Sequence, residues 1–351
     1  MSDQFENPMG IDGFDFVEFA APDATVLENI FGQFGFSPVA RHRSKNITMY
    51  KQGDCVFLIN DEPGSFAKDF AAVHGPCACG FAMRVQDADF VLAATLEKGA
   101  QAFTEKRETT ALDIPCIEGI GGSILYLVDK YGEQSVFADE YEPISGADQN
   151  PEGLGLTLVD HLTHNVYTGN MDEWAEFYER LFNFREIRYF DIKGAKTGLH
   201  SRAMTSPDGQ VRIPINESAD GKSQIQEYLD EYKGEGIQHI ALFTDDIYVT
   251  VEGLRANGLE FLSVPDTYYE MVDERIPEHN EDLERMNRNS ILIDADKQTR
   301  KELLLQIFTQ TCIGPIFFEI IQRKGNDGFG EGNFQALFDS IERDQERRGV
   351  I

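Results

Sequence analysis

Seven histidines punctuate a chain of 351 residues: His42, His74, His161, His164, His200, His239 and His279. His161, in DHLTHNV, and His239, in GIQHIALFTDDI, sit in short runs of apolar and β-branched residues that read as strands. They lie 78 residues apart, and another 80 leads to Glu319, a carboxylate inside the apolar run GPIFFEIIQRKG. A buried carboxylate without a partner is costly, and coordinating a metal removes that cost. Two imidazoles and one carboxylate on one face form the facial triad of non-haem Fe(II) oxygenases, which leaves coordination positions open. His164 competes with His161 for the first place. Three residues apart on one strand, the two point to opposite faces. Periodicity alone does not choose between them.

Internal repetition bears on the choice. GIDGFDFVEFAAPDATVLENIFGQFGF (10–36) returns in pattern as LVDHLTHNVYTGNMDEWAEFYERLFNF (158–184), and CGFAMRVQDADFVLAATLEKGAQAF (79–103) returns as GIQHIALFTDDIYVTVEGLRANGLEFL (236–262). In each, a strand leads through a turn into an amphipathic helix. Runs such as SILYLVD and ELLLQIFTQ follow and read as further strands. The unit is a strand, a helix and then several strands, present four times, which makes the chain α+β. The alignment favours His161 over His164, and it sets Gly13 and Phe81 where the second half has His161 and His239. Only the second half is therefore expected to carry chemistry. The Gly-, Pro- and acid-rich segment 140–157 reads as the linker.

Composition narrows the function classes. A net charge of −30, from 61 acidic and 31 basic residues, argues against nucleic acid and anionic membrane surfaces as partners. An anionic substrate would need a local positive charge, which a metal ion supplies. No window approaches the roughly 18 consecutive apolar residues of a membrane span. The opening MSDQFENPMGIDGF has neither a basic start nor an apolar core, so a cytoplasmic location is expected. Cys55, Cys77, Cys79, Cys116 and Cys312 read as reduced thiols without a role.

The motifs DHLTHNV, RIPINE, KSQIQEYL, GIQHIALFTDDI, LLLQIFT, FFEIIQR and GFGEGNFQALFDSIERDQ together resemble those of the 4-hydroxyphenylpyruvate dioxygenase family, densely over 156–351 and more thinly before. The resemblance implies a vicinal-oxygen-chelate fold, glyoxalase/bleomycin-resistance-like, with paired βαβββ modules forming two open barrels. It implies a degenerate, metal-free domain over 1–145 and a catalytic Fe(II) domain over 156–351 that ends in a gating helix. Carried over position by position, the iron ligands are His161, His239 and Glu319, holding one Fe(II) per chain. Ser201, Asn216, Gln224, Gln238 and Gln306 become polar groups of the catalytic pocket. Pro214, Phe308, Phe317, Phe329, Asn333 and Phe334 become substrate-binding residues.

The implied reaction takes 4-hydroxyphenylpyruvate and O2 to homogentisate and CO2, in tyrosine and phenylalanine catabolism. Three protein ligands leave two coordination positions for the 2-oxo acid and one for dioxygen. The resemblance also implies a homo-oligomer, dimer or tetramer. Hydroxymandelate synthase, with the same triad and substrate, is the nearest alternative. A non-catalytic small-molecule-binding protein on the same fold is the alternative from another class.

GFGEGNF, residues 328–334, first suggests a phosphate cradle. Its G-x-G-x-G spacing is not that of the dinucleotide fingerprint, and the chain ends too soon for a second strand bearing a ribose-binding acid. The glycines are expected to let the chain bend over the barrel mouth, with Phe329 and Phe334 as an apolar lid.

Overall fold

The computed structural model describes residues 4–103, 109–132, 135–193, 198–219, 223–296 and 300–337. The first unit comprises β1 (Phe14–Ala20), α1 (Thr25–Gln33), β2 (Ser37–His42), β3 (Ile47–Gln52) and β4 (Cys55–Asn60). Helix α2 (Phe66–His74) leads to the second, with β5 (Cys77–Arg84), α3 (Ala88–Glu97), β6 (Cys116–Glu118) and β7 (Ile124–Val128), followed by α4 (Phe137–Glu140) and β8 (Tyr141–Pro143). The third comprises β9 (Leu156–Val166), α5 (Met171–Phe182), β10 (Arg185–Lys193), β11 (Gly198–Thr205) and β12 (Arg212–Ser218). Helix α6 (Gln224–Tyr232) joins it to β13 (Gly236–Thr244) and α7 (Ile247–Ala256). Short helices α8 (Asp266–Tyr269), α9 (Val272–Arg275) and α10 (Leu283–Asn289) precede β14 (Leu292–Ala295), β15 (Leu303–Phe308) and β16 (Phe317–Lys324).

Local chemistry explains the helix boundaries. The acidic turns before α3 and α7 are N-caps: Asp87 accepts from the Phe90 amide, and Asp246 from the amides of Tyr248 and Val249. Helix α5 buries Met171, Ala175, Tyr178, Leu181 and Phe182 along one stripe and stops at Asn183, which takes a left-handed conformation with φ 59°.

Two eight-stranded mixed sheets result, ordered β6-β7-β5-β1-β4-β3-β2-β8 and β10-β11-β12-β9-β13-β16-β15-β14. Reading the second backwards from β15 matches the first strand for strand through β10, as duplicated units require. Part of the segment expected to be a linker packs on the first half. Its Tyr141–Pro143 forms edge strand β8 on β2, and Gln52 Oε1 accepts from the amides of Leu154, at 2.5 Å, and Leu156, at 3.2 Å.

One apolar core runs through both halves. Phe34 and Phe57 pack on Phe318 with ring centroids 4.5 and 6.2 Å away, and His74 stacks on Tyr232 at 4.5 Å. A second cluster fills the first half's interior with Phe16, Met49, Leu58, Ile124, Tyr126 and Tyr141. There Glu18 is wholly buried and accepts from Asn60 Nδ2 and the Tyr126 hydroxyl, each at 2.7 Å.

The repeat alignment is corrected at one point. Ala82, Ile124 and Tyr126 face the filled interior, whereas Phe81 belongs to the other core and lies 6.2 Å from the His164 ring. Setting Phe81 on His239 is therefore out of register, and an odd slip along a strand reverses the face. Gly13 lies just before β1. The β1–β5 pairing shifts register twice, between Phe14 and Val17 and between Glu18 and Phe19, which sequence spacing does not reveal.

Candidate metal centre

Three neighbouring strands build the site around one alanine. Ala241 on β13 pairs with His161 on β9 at one side and with Glu319 on β16 at the other. His239 lies two residues before Ala241 and so shares its face. The small Ala241 side chain is fully buried and packs with Leu304 and Ile321. His161 Nε2 lies 3.2 Å from Glu319 Oε2 and His239 Nε2 3.6 Å from it, and the three ligand atoms fall within 4.8 Å of one another.

These separations fit a metal. Donors about 2.1 Å from one ion on adjacent octahedral positions stand about 3 Å apart. Glu319 Oε1 is buried with no hydrogen-bond partner among the described residues, an orphan that a cation would satisfy.

Each imidazole is aimed by the residue before it. His161 Nδ1 donates to Asp160 Oδ1 and His239 Nδ1 to Gln238 Oε1, both at 2.8 Å, which leaves each Nε2 turned inward. Asp160 is in turn gripped by Arg323, with Nη2 to Oδ1 at 2.7 Å and Nε to Oδ2 at 2.8 Å, and by Arg212 at 3.3 Å. Burial alone would raise the Asp160 pKa, but the charge and hydrogen bonds of Arg323 hold it well below the usual carboxylate range. Burial also works against a proton on His161, and the nearby Glu319 and Asp160 outweigh it and raise its pKa. Burial, then the neighbouring His161, keep His239 well below the ordinary histidine value.

His164 faces the opposite side. Its Nε2 is hydrogen-bonded to the Tyr178 hydroxyl at 2.8 Å, and burial pushes its pKa down to about 3.

The triad opens onto a cleft. Strands β9 to β13, β15 and β16 all contribute to its wall, so the second sheet curls around it. The wall is mostly apolar, with hydroxyl, carboxamide and carboxylate groups placed singly along it.

Comparison with known proteins agrees with this geometry. The family described as "Hydroxyphenylpyruvate dioxygenase, HPPD, N-terminal" matches residues 5–142, and the "Glyoxalase/Bleomycin resistance protein/Dioxygenase superfamily" matches 158–271. A 4-hydroxyphenylpyruvate dioxygenase of Pseudomonas aeruginosa is 56% identical over 348 residues, covering 98% of this chain and 97% of its own. The chain belongs to the 4-hydroxyphenylpyruvate dioxygenase family. A protein named Hemolysin VllY, from Vibrio vulnificus, is 57% identical over 350 residues, covering 98% of each chain. A solved xylose isomerase-like TIM barrel/4-hydroxyphenylpyruvate dioxygenase fusion protein superposes with a TM-score of 0.81 at 30% identity, over 97% of this chain. The chain spans about half of that fusion protein, 54% of its length.

As a member of the 4-hydroxyphenylpyruvate dioxygenase family, the chain is a non-haem iron oxidoreductase with the vicinal-oxygen-chelate fold. Among the family positions carried over from sequence, Ser201, Pro214, Asn216, Phe308, Phe329 and Phe334 line the cleft with the triad. Five lie elsewhere. Phe317 stacks behind His239 at 4.8 Å, and Gln238 holds the Nδ1 of the same ring. Gln306 is buried beneath Gly330 with its Oε1 unpartnered. Asn333 accepts from the Tyr268 hydroxyl at 2.6 Å. Gln224 is exposed on the first turn of α6.

Sequence reasoning overlooked Thr163, Phe190, Leu199 and Glu331, which also line the cleft. Strand alternation from His161 would have found Thr163, whose hydroxyl lies 2.9 Å from His239 Nε2. Phe190 and Leu199 come from opposed strands whose pairing the sequence does not state.

The glycine loop borders the cleft. Phe329 meets the His161 ring edge-on at 5.3 Å, and Phe334 lies at the mouth, 37% exposed. Gly330 has φ +76°, and a Cβ there would fall on Gln306 Oε1; a Cβ on Gly332 would fall on Asp294 Oδ1. Close packing, rather than a bound phosphate, accounts for both glycines. The helix expected after the loop begins at residue 331 and is described to 337; residues 338–351 lie outside the described residues.

Proposed function

We propose that this protein is a 4-hydroxyphenylpyruvate dioxygenase that converts 4-hydroxyphenylpyruvate and O2 into homogentisate and CO2, with one Fe(II) per chain held by His161, His239 and Glu319. The observation that carries the reading is the triad gathered around Ala241, with an orphaned Glu319 oxygen and both imidazoles aimed from behind. When bound, Fe(II) supplies the redox chemistry with dioxygen and a positive centre for the 2-oxo acid group.

The chain's own residues do the rest. Asp160 and Gln238 keep the imidazole protons on Nδ1, so that both Nε2 atoms stay available as ligands. Phe308, Phe329, Phe334 and Pro214 enclose an aromatic ring and exclude water from the reacting atoms. Ser201 and Asn216, paired across β11 and β12, offer a hydroxyl and a carboxamide to the phenol end. We read the domains as 1–145 and 156–351, the former without metal, and the enzyme as a cytoplasmic homo-oligomer, dimer or tetramer. No helix among the described residues is long and apolar enough to cross a membrane.

The test is product identification by mass spectrometry after incubation of the protein with Fe(II), O2 and 4-hydroxyphenylpyruvate. Homogentisate supports the reading, 4-hydroxymandelate selects the synthase, and unconsumed substrate with iron bound defeats both.

A further inference from the structure

Four residues beyond Glu319, the Arg323 side chain is 9% exposed, and its guanidinium satisfies two separate parts of the molecule. One edge forks onto Asp160, the carboxylate that receives the His161 Nδ1 proton. The third nitrogen, Nη1, donates to the Asn326 carbonyl at 3.0 Å and the Gly328 carbonyl at 2.7 Å, at the start of the glycine loop. The Phe329 ring lies under the same guanidinium at 5.8 Å while its edge meets His161. Arg212 repeats the link more weakly, reaching Asp160 at 3.3 Å and Asp327 at 3.4 Å. The aim of His161 and the anchoring of the loop therefore share one rigid planar group, with Arg212 as a weaker second link.

We infer that Arg323 is a positioning residue that couples metal binding at His161 to closure of the 326–334 loop. The inference rests on the triad being a metal site and is independent of which substrate the enzyme takes. A flat fork with fixed donor directions can hold Asp160 and two carbonyls at once, whereas an ammonium cannot match that geometry. A metal that fixes His161 fixes Asp160 and Arg323, and through them the loop carbonyls. By reciprocity, a loop anchored on Arg323 raises metal affinity.

The test uses the full chain, stripped of metal, with Co(II) as the probe. Affinity is read from the Co(II) absorption bands, and loop order from hydrogen–deuterium exchange of the peptide covering 325–337. In the parent protein Co(II) is expected to slow exchange of that peptide. Arg323→Met is expected to bind Co(II) about 10- to 100-fold more weakly and to lose the metal-dependent slowing. Arg323→Lys keeps a charge beside Asp160 but not the bonds to both carbonyls. It is expected to recover affinity to within about tenfold of the parent without recovering the slowing. Co(II) slowing the loop equally in the parent and both variants would overturn the coupling. So would undiminished affinity in Arg323→Met. Unaltered exchange across β1–β5 in the same samples identifies variants that are folded.

Discussion

His164 provides a test of which face of β9 holds the metal, through a charge it cannot carry. It is wholly buried, bonded to Tyr178 through Nε2, and its Nδ1 has no partner among the described residues. Burial lowers its pKa from 6.5 to about 3. Between those values the unfolded chain takes up a proton that the folded chain refuses, so stability falls as the pH drops through the unfolded pKa. Integrating that difference gives about 2 kcal/mol lost between pH 7.5 and pH 5, approaching about 1.4 kcal/mol per pH unit. His164→Gln keeps a partner for the Tyr178 hydroxyl and removes the titration. Urea unfolding followed by the single tryptophan, Trp174, reads the same helix that carries Tyr178. The parent's advantage over the variant should shrink by about 2 kcal/mol on going from pH 7.5 to pH 5, while iron content stays unchanged. A constant gap would refute the buried neutral imidazole, and lost iron would refute the assignment of faces.

Other consequences follow from the same geometry. His161→Ala and Glu319→Ala should abolish turnover and metal binding, whereas His164→Ala should retain measurable iron; metal analysis of purified protein decides. Ala241→Val adds bulk to a fully buried position between the three ligands. It should cost about 1–3 kcal/mol from overpacking and empty the site, so normal iron loading would contradict the placement of Ala241. Gly330→Ala meets both a left-handed φ and Gln306, whereas Gly122→Ala, at φ +82°, meets nothing within 4 Å. The Gly122 change should cost about 1 kcal/mol of strain, and the Gly330 change measurably more by thermal unfolding. Equal losses would mean that Gln306 moves aside freely.

The order of units and the three residues that the fold gathers were legible because both are carried by residue types at long, regular separations. An amphipathic helix after a short strand declares itself in one dimension, and a glutamate inside FFEII has few inexpensive explanations. Facing was harder. Phe81 and Gly80 differ by one position, and only the shifted β1–β5 pairing tells which of them looks into the first half's interior. Gln238 and Gln306 stand behind His239 and Gly330 rather than in the cleft wall. The resemblance named these residues without stating which side of the wall they occupy. Asp160 and Arg323, 163 positions apart, meet only in three dimensions.

A duplicated unit that gives up its chemistry is ordinarily free to decay. This one is not, because the first half lends its aromatic rings to the core that supports the second. Phe34 and Phe57 rest on Phe318, whose next residue is the carboxylate ligand. Excising the silent half would put water behind β16 and leave Glu319 on an unsupported strand. The first half is a foundation for the triad of the second, so an engineer seeking a smaller catalyst would have to supply a substitute surface before discarding it.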